Sequence, residues 1–236
     1  MNMESDRVIS GIEGFDEVTK GGIPRDDIAL ITGTPGSGKT TFSLQFLAYG
    51  ARHGENGVYF TLEESAESII KTFSAFDPGV RDLIKAGTLR IVDVPLIDYD
   101  ALKQTITTEI ESINATRVAI DSITYLQMFF PDIMSIRKGI MEISSILRMH
   151  KCAGLLIGEI PYGENKLSAF GVEEFAADAV IALYLIERQD TFIRAIRVVK
   201  MRGTDHLTKF CPMEIVNGKG LVIYPNAELF TDVENR

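Results

Sequence analysis

Eight residues constrain the fold of this chain more than any others. Gly33-Thr34-Pro35-Gly36-Ser37-Gly38-Lys39-Thr40 is a complete GxxxxGK[ST] sequence that follows the apolar run IALIT (28–32) and opens a helical stretch in which Phe42 and Phe46 share a face. Glycines at these positions let backbone N–H groups turn inward around phosphate oxygens, and the helix N-terminus adds partial positive charge. Lys39 can neutralise the outer phosphates, and the Thr40 hydroxyl can ligate Mg²⁺. From average residue frequencies a chance match in a chain of this length is about one in a hundred. The motif predicts nucleotide binding, with Thr34 to Thr40 and the adjoining Thr41 as the binding residues. Its strand, loop and helix context predicts an α/β sheet.

The rest of the chain agrees with such a sheet. Further short apolar runs, VYFTL (58–62), LRIVDV (89–94), RVAIDS (117–122) and AGLLIG (153–158), alternate with helical patterns, as in a mainly parallel sheet covered on both faces. Leu102, Ile106, Ile110 and Ile113 repeat at helical spacing, as do Ile133, Ile136, Ile140, Ile143 and Leu147, with Pro131 and Asp132 at the head of that second helix. After about residue 178 the helices stop. AVIALYLI, FIRAIRVVKMR, FCPMEIV and GLVIYP succeed one another across short turns, which predicts an antiparallel extension of the sheet. The polar tail after Pro225 is expected to fray.

In an open α/β sheet the ligand sits beyond the carboxyl ends of the parallel strands. Three of the runs end in acids there: VYFTL in Glu63-Glu64, RVAI in Asp121, and LLIG in Glu159. Asp121 fits the role of holding Mg²⁺ with Thr40. Glu63 and Glu64 can polarise the water that attacks a γ-phosphate, although acids also favour the first turn of an exposed helix. Asn165-Lys166-Leu167-Ser168 approaches the guanine-reading NKxD but lacks its carboxylate, which favours ATP over GTP.

Charge limits the partners. The 236 residues carry 24 Lys+Arg against 33 Asp+Glu, a formal net charge of −9, which disfavours a protein whose main work is tracking a phosphate backbone. At 45% apolar and 24% charged residues the chain is an ordinary globular one. The length suits one domain, 1–236, better than two. No apolar run approaches the ~18 residues of a membrane span, and the start MNMESDRV lacks the basic and apolar regions of a secretory signal, so a cytoplasmic location is expected. Cys152 and Cys211 stand apart in apolar surroundings and read as buried thiols.

Six stretches in order, GIEGFDEVTKGGIP (11–24), GTPGSGKT (33–40), the Glu63-Glu64 pair opening LEES, RVAIDS (117–122), FGVEEFAAD (170–178) and KMRGTDH (200–206), resemble the single-domain KaiC-like ATPases of the RecA/RadA P-loop group. The resemblance covers nearly the whole chain. It implies a RecA-like P-loop NTPase core and a hexameric ring with ATP and Mg²⁺ between neighbouring subunits. Glu63 and Glu64 would be the catalytic pair. Lys200 and Arg202 would reach the neighbour's γ-phosphate, with Met201 and His206 beside the nucleotide and Asn217 at a position where the family has a ribose-contacting Asp. Arg194, Lys200 and Arg202 also share one face of a period-2 strand. Where the phosphorylating half of KaiC has its Ser-Thr acceptors this chain has Glu174 and Phe175, so autophosphorylation there is not expected. Ala75 stands where the family has a Ser contact.

Three functions compete. The first is a slow ATPase ring that gates conformation or an unidentified protein partner. The second is a RecA/RadA-like recombination accessory that binds single-stranded DNA through 127–138, with Phe129, Phe130, Arg137 and Lys138, or through 161–170. The third is a non-catalytic scaffold in which ATP is a structural ligand between subunits.

Overall fold

The structure is a computed structural model and describes residues 7–94, 98–161, 166–188 and 190–229. Asn165, part of the 161–170 loop and the end of the tail lie outside the described residues.

A short antiparallel pair, β1 (Arg7–Val8) with β2 (Ile23–Pro24), brackets the one-turn helix α1 (Phe15–Val18). β3 (Ile28–Gly33) then leads through the glycine-rich loop into α2 (Lys39–Arg52). There follow β4 (Gly57–Thr61), α3 (Ala66–Phe73), α4 (Val80–Ala86), β5 (Leu89–Asp93), α5 (Tyr99–Ile113), β6 (Arg117–Asp121), a 3-10 helix over Ile123–Met128, α6 (Ile133–Met149) and β7 (Ala153–Glu159). The C-terminal part comprises α7 (Glu173–Ala176), β8 (Ala179–Arg188), β9 (Thr191–Met201), β10 (Cys211–Val216) and β11 (Gly220–Ile223). Nine strands form one sheet in the order β11-β10-β9-β8-β3-β7-β6-β4-β5.

The apolar runs are buried on both faces because helices cover both. Ile31, Tyr59, Ala119 and Leu155 face one core with Phe42 and Phe46 of α2, whereas Leu30, Phe60, Val118 and Leu156 face the other with Leu102 and Ile106 of α5 and Ile136 and Ile140 of α6. The helix heads are capped as their residues suggest: Asp98 accepts from Ala101 N at 2.7 Å and Asp132 from Ser135 N at 2.9 Å. Ile133 is the exception to its pattern, since it sits in the first turn of α6 and stays 49% exposed. Both cysteines are buried, and burial pushes the Cys152 thiol up to about 12.

Two features of the C-terminal strands differ from the sequence reading. β8 is not part of the antiparallel extension; it pairs parallel to β3, from Ala29↔Ala179 to Gly33↔Leu183, and the antiparallel strands begin with β9. Among the described residues the crossover between β7 and β8 carries one helical turn, α7, so the sequence shows little helical periodicity there. Secondly, the β8–β9 register shifts between Val180 and Ile181, opposite Lys200 and Val198, so Val199 is an extra residue. A bulge inverts the alternation of every residue beyond it. Ile196 and Val198 therefore face the first core together with Met201, while Val199 packs on the second. Arg194 and Lys200, even-numbered and expected on one face, stand on opposite faces.

Asp27, at the foot of β3, has a buried Oδ2 with no hydrogen-bond partner. Burial and the neighbouring Asp178 carboxylate push its pKa up to about 6. A carboxyl that holds its proton more tightly in the folded state penalises folding fully above that pH, and the penalty fades as pH falls toward its unfolded value. Partial solvent exposure screens the effect, so Asp27→Asn should stabilise the protein by about 1 kcal/mol at pH 7.5. The expected rise in thermal midpoint is about 2–4 °C, disappearing near pH 4.

Candidate functional site

The sheet register alone assembles the site. At the carboxyl edge Gly33 lies beside Glu159, and Thr61 beside Asp121. The glycine-rich loop turns over this edge with Gly36 at φ +79° and Gly38 at φ +108°, a left-handed region that side chains resist. At Gly36 an added Cβ would meet no atom within 4 Å, so it is the backbone conformation and not crowding that favours glycine there. Lys39 is 8% exposed, and its ammonium donates to the carbonyls of Gly33 at 3.0 Å and Thr34 at 3.2 Å. The hydroxyls of Thr34 and Ser37 are buried without a protein partner. Unpaired buried hydroxyls around a cupped lysine fit phosphate oxygens as the missing partners.

The Thr40 hydroxyl donates to Asp121 Oδ2 at 3.0 Å, and the Tyr59 hydroxyl donates to the same oxygen. Glu63, Glu64, Thr61 and Glu159 complete a small cleft around this pair. The acids constrain one another. Burial raises the Asp121 pKa despite the bonds from Tyr59 and Thr40, and burial followed by the charges of Glu159, Asp121 and Glu64 raises that of Glu63. Burial lowers the pKa of Lys39, while Glu159, Asp121 and Glu63 counteract it. Three carboxylates against one ammonium leave an excess of negative charge, and hard oxygen donors beside a phosphate loop suit Mg²⁺. Thr40 and Asp121 would hold that ion, whose chemistry is to neutralise charge at the β- and γ-phosphate oxygens. Among the described residues no group of three or more His, Cys, Asp or Glu side chains is arranged to hold a metal by itself, and an ion shared with substrate phosphates needs none.

The two glutamates differ. Glu64 Oε2 accepts from Ser68 Oγ at 3.1 Å, which turns it toward the first turn of α3. Glu63 instead feels Asp121 and Glu159 and bonds to Tyr125. Beyond Lys39 and Thr41 a second cleft of about 260 Å³ extends between Leu44, Ile69, Phe73, Phe76 and Ile215, an apolar slot of the kind that accepts a nucleotide base. Asn217 does not line it; it lies exposed on the β10–β11 turn, two residues past Ile215.

Lys200, Arg202 and His206 are not brought to this edge. Met201 pairs with Ala179 and Ala179 with Ala29, four residues below Gly33, so Lys200 and Arg202 beside it lie about 13 Å down the sheet at its amino edge, and His206 follows in the loop beyond. The Met201 side chain is 4% exposed and packs in the first core. Arg194, on the other face beyond the bulge, donates from Nε to the Gly36 carbonyl at 3.2 Å and so contacts the phosphate loop of the same chain. Phe129 and Phe130 are half-buried against the second core, with the Phe130 ring 4.8 Å from that of Tyr99.

Sequence reasoning missed Tyr59, Tyr125, Phe73, Phe76 and the contact of Arg194 with the phosphate loop. Tyr59 sits mid-strand in an apolar run and gives no local sign that its hydroxyl meets an acid 62 residues away.

A strand, glycine-rich loop and helix carrying GxxxxGK[ST], with an acid on a neighbouring parallel strand bonded to the loop's threonine, define a P-loop nucleotide-binding protein of α/β class. Comparison with known proteins gives the family: the model described as "ATPase: KaiC" matches residues 8–228, and the chain belongs to that family. The UPF0273 protein of Thermotoga maritima is 35% identical over 93% of this chain and 96% of its own length. The circadian clock protein KaiC3 of Synechocystis is 32% identical over 93% of this chain but only 46% of its own, so the chain spans about half of that relative. The crystal structure of a KaiC-like protein from Pyrococcus horikoshii superposes with a TM-score of 0.85 at 38% identity, covering 94% of this chain and all of the other. The fold is accordingly the RecA-like α/β core with a KaiC-like neighbour. Among the described residues no helix is long and apolar enough to cross a membrane.

Proposed function

We propose that residues 1–236 act as one ATPase domain that hydrolyses ATP slowly at the interfaces of a homohexameric ring, and that turnover gates a conformation or a partner. One observation carries this reading: the phosphate loop and the Lys200/Arg202 cations stand at opposite edges of one sheet, so a single subunit cannot apply both to one nucleotide. A neighbouring subunit offering its amino edge can, as an arginine finger does in trans.

Lys39 would bind the outer phosphates while the backbone N–H groups of 36–40 orient them. Glu63 would accept the proton of the attacking water as the γ-phosphoryl departs, and its raised pKa makes it a stronger base than a solvated glutamate. Glu174 and Phe175 carry no hydroxyl, so the product is ADP and free phosphate rather than a phosphoprotein at that site.

Light scattering with and without Mg·ATP, run beside a phosphate-release assay, tests ring and catalysis together. Arg202→Ala should keep nucleotide binding and lower turnover at least about 100-fold. Wild-type turnover in that variant contradicts the trans assignment. If wild type and Glu63→Gln release phosphate equally, near background, the scaffold reading replaces the catalytic one.

A further inference from the structure

Asp178, the last residue before β8, carries more bonds than the end of a loop requires. Its main-chain N–H donates to Ile28 O at 2.8 Å, and its Oδ2 accepts from Ile28 N at 3.1 Å, so it clasps the first residue of β3. The same Oδ2 accepts from Arg148, at the end of α6, at 2.5 Å. Its Oδ1 faces Arg202 Nη1 at 3.4 Å, and its main-chain carbonyl accepts from Arg202 N at 3.2 Å. The Asp178 side chain is 15% exposed and that of Arg202 62% exposed. One half-sunk carboxylate therefore holds the root of an outward-reaching guanidinium, while most of that group's donors stay open to solvent.

We propose that Asp178 is a positioning residue for Arg202, fixing the guanidinium on the amino edge so that it meets the γ-phosphate of the adjacent subunit. The proposal rests on the trans reading of Arg202 above. An arginine has a long stem of rotatable bonds, and a cation ordered before reaction costs no reorganisation during it. Arg148 offsets part of the carboxylate charge, which leaves Asp178 able to guide Arg202 without locking it; the 3.4 Å contact is long for a charge-assisted bond. Because Asp178 also grips Ile28, the finger offered to a neighbour and the strand carrying the subunit's own phosphate loop share one anchor.

A double-mutant cycle on the full chain tests this, with steady-state phosphate release measured across a range of Mg·ATP. Asp178→Asn keeps an oxygen for Ile28 N and loses the charge. It should lower kcat roughly five- to tenfold with KM nearly unchanged, and Arg202→Ala should lower kcat at least about 100-fold. The double variant should be no slower than Arg202→Ala, because Asp178 acts through the arginine. Asp178→Ser repeats the cycle with a shorter acceptor and should show the same coupling. Wild-type turnover in Arg202→Ala overturns the trans reading and the tether with it. An impaired Arg202→Ala combined with wild-type or faster Asp178→Asn, or with effects that multiply in the double variant, overturns the tether alone.

Discussion

Glu63→Gln should lower phosphate release at saturating Mg·ATP by about 10²- to 10⁴-fold, the range expected for loss of a general base, while nucleotide affinity stays within about threefold of wild type. Glu64→Gln should cost less than about tenfold, since its carboxylate is engaged by Ser68 and turned toward α3. The asymmetry distinguishes a base from a generally acidic rim, which would respond equally to either change. The pH profile should carry the same signature. A base must be deprotonated to act, and the raised pKa of Glu63 moves the acid limb of kcat above that of an ordinary glutamate. Equal losses in the two variants, in stopped-assay or coupled phosphate measurements, would reject the assignment to Glu63.

Lys39→Ala should abolish detectable nucleotide binding. The ammonium is buried and already bonded to the carbonyls of Gly33 and Thr34, so it stands at the loop before any phosphate arrives. Thermal unfolding gives the readout. Mg·ATP at about 100 times its dissociation constant should stabilise the wild type by about 2.7 kcal/mol, a rise of roughly 5–10 °C for a domain of this size. The variant should show no ligand-induced rise while its ligand-free midpoint stays close to that of wild type. Chelating Mg²⁺ should reduce the wild-type shift strongly, because Glu63, Asp121 and Glu159 would otherwise face the phosphates without an intervening cation. A normal ATP-induced shift in Lys39→Ala would remove the basis for the phosphate-loop reading.

Legibility in the sequence followed the range of the interactions. Gly33 to Thr40 and the helix head at Asp132 were readable because their partners lie within a few residues. Asp121 and Glu159 were readable as strand ends, and parallel registry brought them to Thr61 and Gly33. By contrast Tyr59, Phe73, Phe76 and Asp178 take their roles from partners far along the chain, and nothing beside them in sequence signals those partners. Arg194 is the sharpest case. Strict alternation put it with Lys200, but one extra residue at Val199 moved the two to opposite faces.

By itself, then, the sequence determined that this chain builds a helix-covered, mostly parallel sheet with a phosphate loop at one edge, because periodicity, glycine placement and capping are local properties of the backbone. Tertiary structure decided which acids share a cleft, which arginine reaches the phosphate loop of the same chain, and that Lys200 and Arg202 stand at the other edge, about 13 Å below Gly33 along the strand direction. Strand order, crossover and a single bulge set those distances, and each depends on packing between segments that the linear order keeps apart.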